Sequence, residues 1–232
     1  MLTTSAAVLA FAAAGATLWA KARREHRTAL SGRSGLLASA VAMFPDGQMT
    51  FGRDGFPTFY AQLPDGRPIG IEILVDTLVT RRLPQLWLKL TIGDKARRRD
   101  FSIGALARPT GAEFYSLVHE LPEWIAPPDC DLPLLVRGRS ATAADAARAG
   151  AVLRSLFADR EVKEAVATPR GVRIVRRVAE GDRGAHLLLR QIRFPVDTVS
   201  ADLIRTAVAD AEALADALTD TAPVRDLELE LQ

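Results

Sequence analysis

The sequence predicts an α+β fold: an N-terminal transmembrane helix followed by an antiparallel β-sheet domain with helices packed on one face. Three observations predict it. Residues 1–20 carry no charged side chain and run directly into a basic cluster. Residues 48–103 carry strand signals, clearest at Leu86–Ile92, where Leu86, Leu88, Leu90 and Ile92 alternate with Lys89 and Thr91. Residues 142–158 and 200–218 carry apolar stripes at helical spacing. Strands, then helix, hairpin and helix, is the order of a sheet with helices on one face.

In the first segment Leu2, Val8, Leu9, Phe11, Leu18 and Trp19 stand among Ala, Gly, Ser and Thr. Twenty helical residues reach about 30 Å, the thickness of a bilayer's hydrocarbon core. Trp19 then falls at headgroup level, and Lys21, Arg23, Arg24 and Arg27 follow it into water. A secretory signal peptide has its basic region before the apolar stretch, so the charge order here favours a retained anchor. A cleaved signal and a buried core helix remain the competing readings. The positive-inside rule puts the basic flank and the main domain on the cytoplasmic side. The expectation is therefore a single-pass protein of the cell membrane: anchor and flank at 1–27, a connector at 28–46, and a soluble domain at 47–232.

Within the connector, Leu36–Phe44 is a short apolar run open to helix or strand. Thr58–Leu63 leads into Pro64-Asp65-Gly66-Arg67, a turn in which Pro presets φ and Gly tolerates positive φ. Ile69–Thr80 is β-branched and apolar, with Asp76 as a polar interruption. Trp87 breaks the alternation of its strand and is expected half-exposed. Phe101–Ile103 and Glu113–Val118 are further strand candidates, for a meander of four to six strands. Residues 121–134 hold four prolines and mark a candidate internal boundary. A short strand at Leu134–Val136 follows.

Thr142 is a helix N-cap, with Asp145 in the first turn. Val162 and Val166 extend that helix or start another, which Pro169 ends. Val172–Val178 and Ala185–Phe194 flank Glu180-Gly181-Asp182-Arg183-Gly184 and predict a hairpin. Asp197 or Ser200 caps a helix reaching Leu218, with Leu203, Ala207, Ala211, Leu214 and Leu218 on one face. Arg225–Gln232 is a last strand or a frayed end.

Of 232 residues, 30 are Lys or Arg and 28 are Asp or Glu. The flank takes four of the bases and one acid, so the remaining domain is near neutral and no nucleic-acid partner is expected. Arginine far outnumbers lysine and asparagine is absent, which resembles a GC-rich bacterial coding sequence. One cysteine, Cys130, excludes an intrachain disulfide and a cysteine-based metal site. Its neighbours Asp129 and Asp131 disfavour a thiolate.

Motifs for chemistry are absent. There is no Walker A loop, no G-x-G-x-x-G and no G-x-S-x-G, so no cofactor is indicated. The three histidines, His26, His119 and His186, lack metal-ligand spacing, so no metal site is indicated. His119 lies near Glu113, Glu120 and Glu123, a local pattern that suits a general base with a carboxylate orienter and equally a polar strand end. Asp76 is open between a site residue and a carboxylate paired with Arg81 or Arg82. Lys95, Arg97, Arg98 and Arg99 form the sharpest charge run, a candidate anion patch for a phospholipid headgroup, a phosphorylated partner or an RNA backbone. Its competing reading is a solvated loop paired with Asp94 and Asp100. The expected function is a non-catalytic binding or scaffold module tethered by one N-terminal helix, with other membrane-associated proteins as partners. The alternative is a tethered enzyme of unknown reaction with a site around His119, no catalytic residue being assigned. Convergence of Asp76 with the His119 region in one cleft would favour the enzyme.

Overall fold

A computed structural model describes residues 15–17, 19–21, 23–24, 32–77, 82–94, 99–189 and 192–219. The strand signals of the first half fold as an antiparallel meander: β1 (Gln48–Phe51), β2 (Pro57–Gln62), β3 (Pro68–Asp76) and β4 (Gln85–Gly93). The turn from β2 to β3 forms for the reasons its sequence gives. Gly66 sits at φ 82°, Asp65 Oδ1 accepts from Arg67 N at 3.0 Å, and Leu63 N donates to Arg67 O at 2.9 Å.

Beyond β4 the sheet does not follow chain order. β5 (Ser102–Ala107), β6 (Glu123–Trp124), β7 (Leu134–Arg139), β8 (Val162–Thr168) and β9 (Gly171–Glu180) complete nine antiparallel strands in the order β1-β2-β3-β4-β9-β8-β5-β7-β6. The strands β4 and β5, consecutive in the chain, are not neighbours in the sheet. The proline-rich stretch 121–134 carries β6 and feeds β7 within the same sheet.

Among the described residues, helices α1 (Ala38–Met43), α2 (Ala143–Leu156), α3 (Arg183–Leu189) and α4 (Ala201–Ala217) accompany the sheet. The Thr142 cap is a full capping box, with Asp145 N donating to Thr142 Oγ1 at 3.2 Å and Thr142 N to Asp145 Oδ2 at 2.8 Å. Ser200 Oγ accepts from Leu203 N at the start of α4. Ile204, Ala207, Ala211 and Leu214 of α4 and Leu153 of α2 meet Ile71, Leu88, Leu90 and Ile174 in one core on one face of the sheet. Each fully buried Leu or Ile contributes about 1.5–3 kcal/mol. Arg176 of β9 reaches out of this face to Asp210 of α4 and to Asp159, tying helix to sheet.

Among the described residues no helix lies over the centre of the opposite face. The segment 108–121, with a 3-10 turn at Val118–Glu120, covers it instead. Leu74, Trp87, Tyr115 and Val175 pack together there, beside a second cluster of Leu106, Val118 and Val166.

Several sequence expectations are corrected. Trp87 is buried at 5% exposure, because the 108–121 cover supplies a second core. Glu113–Val118 is not a strand; Glu113 closes a loop by accepting from Thr110 N and Gly111 N, both at 2.9 Å. Val162–Val166 is strand, not helix, and β8 rather than Ala185–Phe194 is the hairpin partner of β9. The latter stretch opens as α3, whose first turn is held by Ala185 N donating to Asp182 Oδ1 at 2.5 Å. Among the described residues no helix is long and apolar enough to cross a membrane, so the predicted transmembrane helix is not found there. Residues 1–14, the larger part of that expected span, and the tail 220–232 lie outside the described residues.

Candidate functional site

Lys163 is one of four lysines in the chain and the only one on β8. The register of β8 against β9 slips between Val162 and Glu164, leaving Lys163 as the extra residue of a bulge. The bulge turns it to the helix-free face. There it is 4% exposed, and Nζ donates to Ala107 O at 2.8 Å, Arg108 O at 3.0 Å and Glu113 Oε1 at 2.8 Å. An ammonium has three protons, and all three are used.

Glu113 is as fully engaged. Besides Lys163 it accepts from Thr110 N, Thr110 Oγ1 and Gly111 N, each at 2.9 Å. Burial pushes its carboxyl up, but the Lys163 ammonium and the Thr110 donors outweigh this and lower it to about 2. Burial pushes Lys163 down, and Glu113 opposes the shift.

This pair forms one wall of a cleft of about 450 Å³. Asp76 enters from the end of β3, and Trp87 from β4. A second register slip, between Leu86 and Trp87 against β9, lies beside it. Arg177 of β9 is bidentate on Glu161, with both contacts at 2.6 Å. Arg108, in the left-handed region at φ 47°, donates to Arg160 O at 2.9 Å. Burial lowers its affinity for its proton, as do the charges of Arg177, Arg82 and Arg160, with Glu161 opposing. Arg183 of α3 completes the rim. Among the described residues six bases thus face four acids: Asp76, Glu113, Glu161 and Glu180. The site is net positive by two, and two of the acids are already committed to Lys163 and Arg177. Trp87 Nε1 and Tyr115 Oη are buried without a hydrogen-bond partner among the described residues. No family profile, curated protein or solved structure matches this chain.

The structure separates the sequence-derived candidates. Asp76 is buried and lines the cleft together with Glu113. His119 stands behind Glu113, with Nε2 at 3.4 Å from Oε2, and does not line the cleft. Glu123 is exposed in β6 and accepts from Ser140 N, while Glu120 is turned outward. His186 lies on α3. Cys130 is partly buried, and its thiol is pushed up by burial and by Asp129 and Asp131, against Arg154. Arg99 is corrected as a member of the anion patch: it is 2% exposed, Nη2 lies 3.2 Å from Asp94 Oδ2, and Nη1 donates to Ala215 O. Lys95, Arg97 and Arg98 lie outside the described residues, as do Arg27 and His26. Of the anchor flank, Trp19 is 61% exposed with the Arg23 guanidinium 4.1 Å from its ring centre, and Lys21 and Arg24 are exposed. Among the described residues no group of three or more His, Cys, Asp or Glu could hold a metal ion.

Apart from Arg82, a candidate partner of Asp76, the sequence does not single out the cleft arginines. Arg82, Arg108, Arg160, Arg177 and Arg183 come from separate segments with no fixed spacing. The signal available is Lys163, one of four lysines in the chain, placed next to Glu164 in a strand that also holds Val162, Ala165 and Val166.

Proposed function

We propose that this protein is a non-catalytic binding module that takes a small phosphate- or carboxylate-bearing ligand in the cleft beside Lys163. The observation that carries the reading is the surplus of guanidinium groups. Among the described residues that line the cleft, with Glu113 and Glu161 engaged, Arg82, Arg108, Arg160 and Arg183 face two further acids, Asp76 and Glu180. A planar guanidinium suits phosphate and carboxylate oxygens, and an anion would offset the repulsion from Arg177, Arg82 and Arg160 that adds to burial in lowering Arg108. The partner-less indole N–H of Trp87 adds a neutral donor.

The enzyme reading gains from the meeting of Asp76 and Glu113 in one cleft. It loses more from their state. Glu113 stays ionised down to about pH 2 and is a poor general base near neutrality. Lys163 has no lone pair to offer while it donates to three acceptors.

Isothermal titration of the full chain in detergent with inorganic phosphate tests the ligand class. Binding that weakens about tenfold in Arg183→Gln and in Arg108→Gln supports it, tenfold being about 1.4 kcal/mol. No heat at millimolar phosphate or citrate overturns it. Membrane tethering with the domain in the cytoplasm is part of the same proposal, supported by the charge order of residues 1–27. A C-terminal alkaline phosphatase fusion should be inactive and a fluorescent fusion bright; the reverse overturns the topology.

A further inference from the structure

The lining of the cleft beside Lys163 is not uniform. Arg82, Arg160 and Arg183 are exposed at its rim, and Arg108 is half-buried. Asp76 and Trp87 form its buried part, at 6% and 5% exposure. The register of β3 against β4 puts both on one face of the sheet. Leu74 stands opposite Trp87 and Asp76 opposite Gln85, so Asp76 and Trp87 are diagonal neighbours, about 7–8 Å apart across the strand pair. Trp87 Nε1 has no hydrogen-bond partner among the described residues, and neither has Tyr115 Oη, whose ring centre lies 6.3 Å from that of Trp87. Burial and the charges of Asp76, Glu113 and Glu164 push the Tyr115 hydroxyl up, against Arg173, so it keeps its proton. Buried N–H and O–H groups without an acceptor are destabilising. The deep part of the cleft thus sets donors in want of an acceptor beside a carboxylate.

We propose that the ligand of this cleft is a phosphate monoester of a polyol or sugar, with its phosphate at the arginine rim and a hydroxyl between Trp87 and Asp76. The proposal rests on the reading of the cleft as an anion site and names the ligand within it. A hydroxyl both accepts and donates, so it takes the indole N–H of Trp87 and gives its own proton to Asp76. An ionised carboxylate has about four lone-pair sites, which leaves Asp76 room for this bond besides its contacts within the chain. An ionised oxygen at the same place would satisfy Trp87 but meet the like charge of Asp76. An alkyl group would leave the indole N–H unpaired. The charge agrees as well: a phosphate monoester carries about 1.5 to 2 negative charges at neutral pH, against a lining that is positive by two. The cleft volume of about 450 Å³ lies within the about 300–1,000 Å³ of pockets for organic ligands, with room for a carbon skeleton beside the phosphate.

Isothermal titration of the full chain in detergent is the test, with glycerol phosphate set against n-propyl phosphate, which has the same carbon chain and phosphate but no hydroxyl. Glycerol phosphate should bind at least about tenfold more tightly. Trp87→Phe keeps an aromatic ring and removes the N–H, and Asp76→Asn removes the charge; each should cut the ratio to about threefold or less. Arg183→Gln, at the rim, should weaken both esters by about the same factor and leave the ratio as it was. Thermal melting shows whether the variants fold, and the ratio in the unaltered chain tests the proposal without them. Equal affinity for the two esters, in a chain that binds inorganic phosphate, overturns the polyol ligand and leaves the anion site standing. A ratio that survives in both Trp87→Phe and Asp76→Asn, with the variants folded, overturns the placement of the hydroxyl. A chain that binds neither ester nor phosphate sinks the anion site and the polyol ligand together.

Discussion

Lys163 Nζ stands 2.8 Å from Glu113 Oε1 in a setting where both side chains are nearly closed to water. The contact fastens the 108–121 cover to a bulge in β8, alongside Arg173 Nη2 donating to Tyr115 O at 2.8 Å and the two apolar clusters beneath the cover. Removing one partner of a buried pair strands the other, at about 3–5 kcal/mol. Lys163→Met and Glu113→Gln should each lower stability by about 3 kcal/mol in urea denaturation, and the double variant by much less than their sum. Additive losses would show that the two residues act separately.

The same carboxylate sets an acid limit. Glu113 is lowered from an ordinary 4.5 to about 2, so unfolding takes up a proton between those values. Its contribution is complete above about pH 4.5 and is lost as pH falls towards 2. Urea midpoints should drop through this window, and Glu113→Gln should flatten the drop. An unchanged slope in the variant would assign acid sensitivity to other carboxylates.

Thr142→Ala removes the acceptor at the start of α2 and should cost about 1 kcal/mol, with Thr142→Ser within a few tenths. Thermal melting separates the two. Equal losses would mean that the methyl group, not the hydroxyl, matters.

Two glycines give a graded test of backbone geometry. Gly66, at φ 82°, has open space where a Cβ would go, and Gly66→Ala should cost roughly 1 kcal/mol. Gly171, at φ 151°, would place a Cβ 2.1 Å from Ile92 O, across the β4–β9 junction. Gly171→Ala should cost at least about 2 kcal/mol more than Gly66→Ala. Similar melting temperatures for the two would refute the close approach.

Legibility in the sequence followed locality. The alternation of Leu86–Ile92 and the capped helices at 142 and 200 were readable, because each signal lies within a few neighbouring residues. For Trp87, alternation assigns a face and does not say what covers it. Val162 and Val166, four apart, mimic a helix stripe, but tertiary pairing with β9 makes a strand of them. For α3 the signal was present: Asp182 three residues before Ala185 is a helix start, and it lost to the hairpin reading of a glycine-rich loop. The cleft had no local signature, since its arginines meet only after β9 has been placed between β4 and β8.

That placement has a consequence for how the molecule is made on the ribosome. The meander β1–β4 and the group β5–β8 emerge first, and each waits with an open flank for a strand synthesised last among the nine. At about 5–20 residues per second the first flank stays open for on the order of ten seconds. A nascent chain stalled before residue 171 would present two unpaired strand borders at once, which makes premature termination there a direct route to chaperone capture or aggregation.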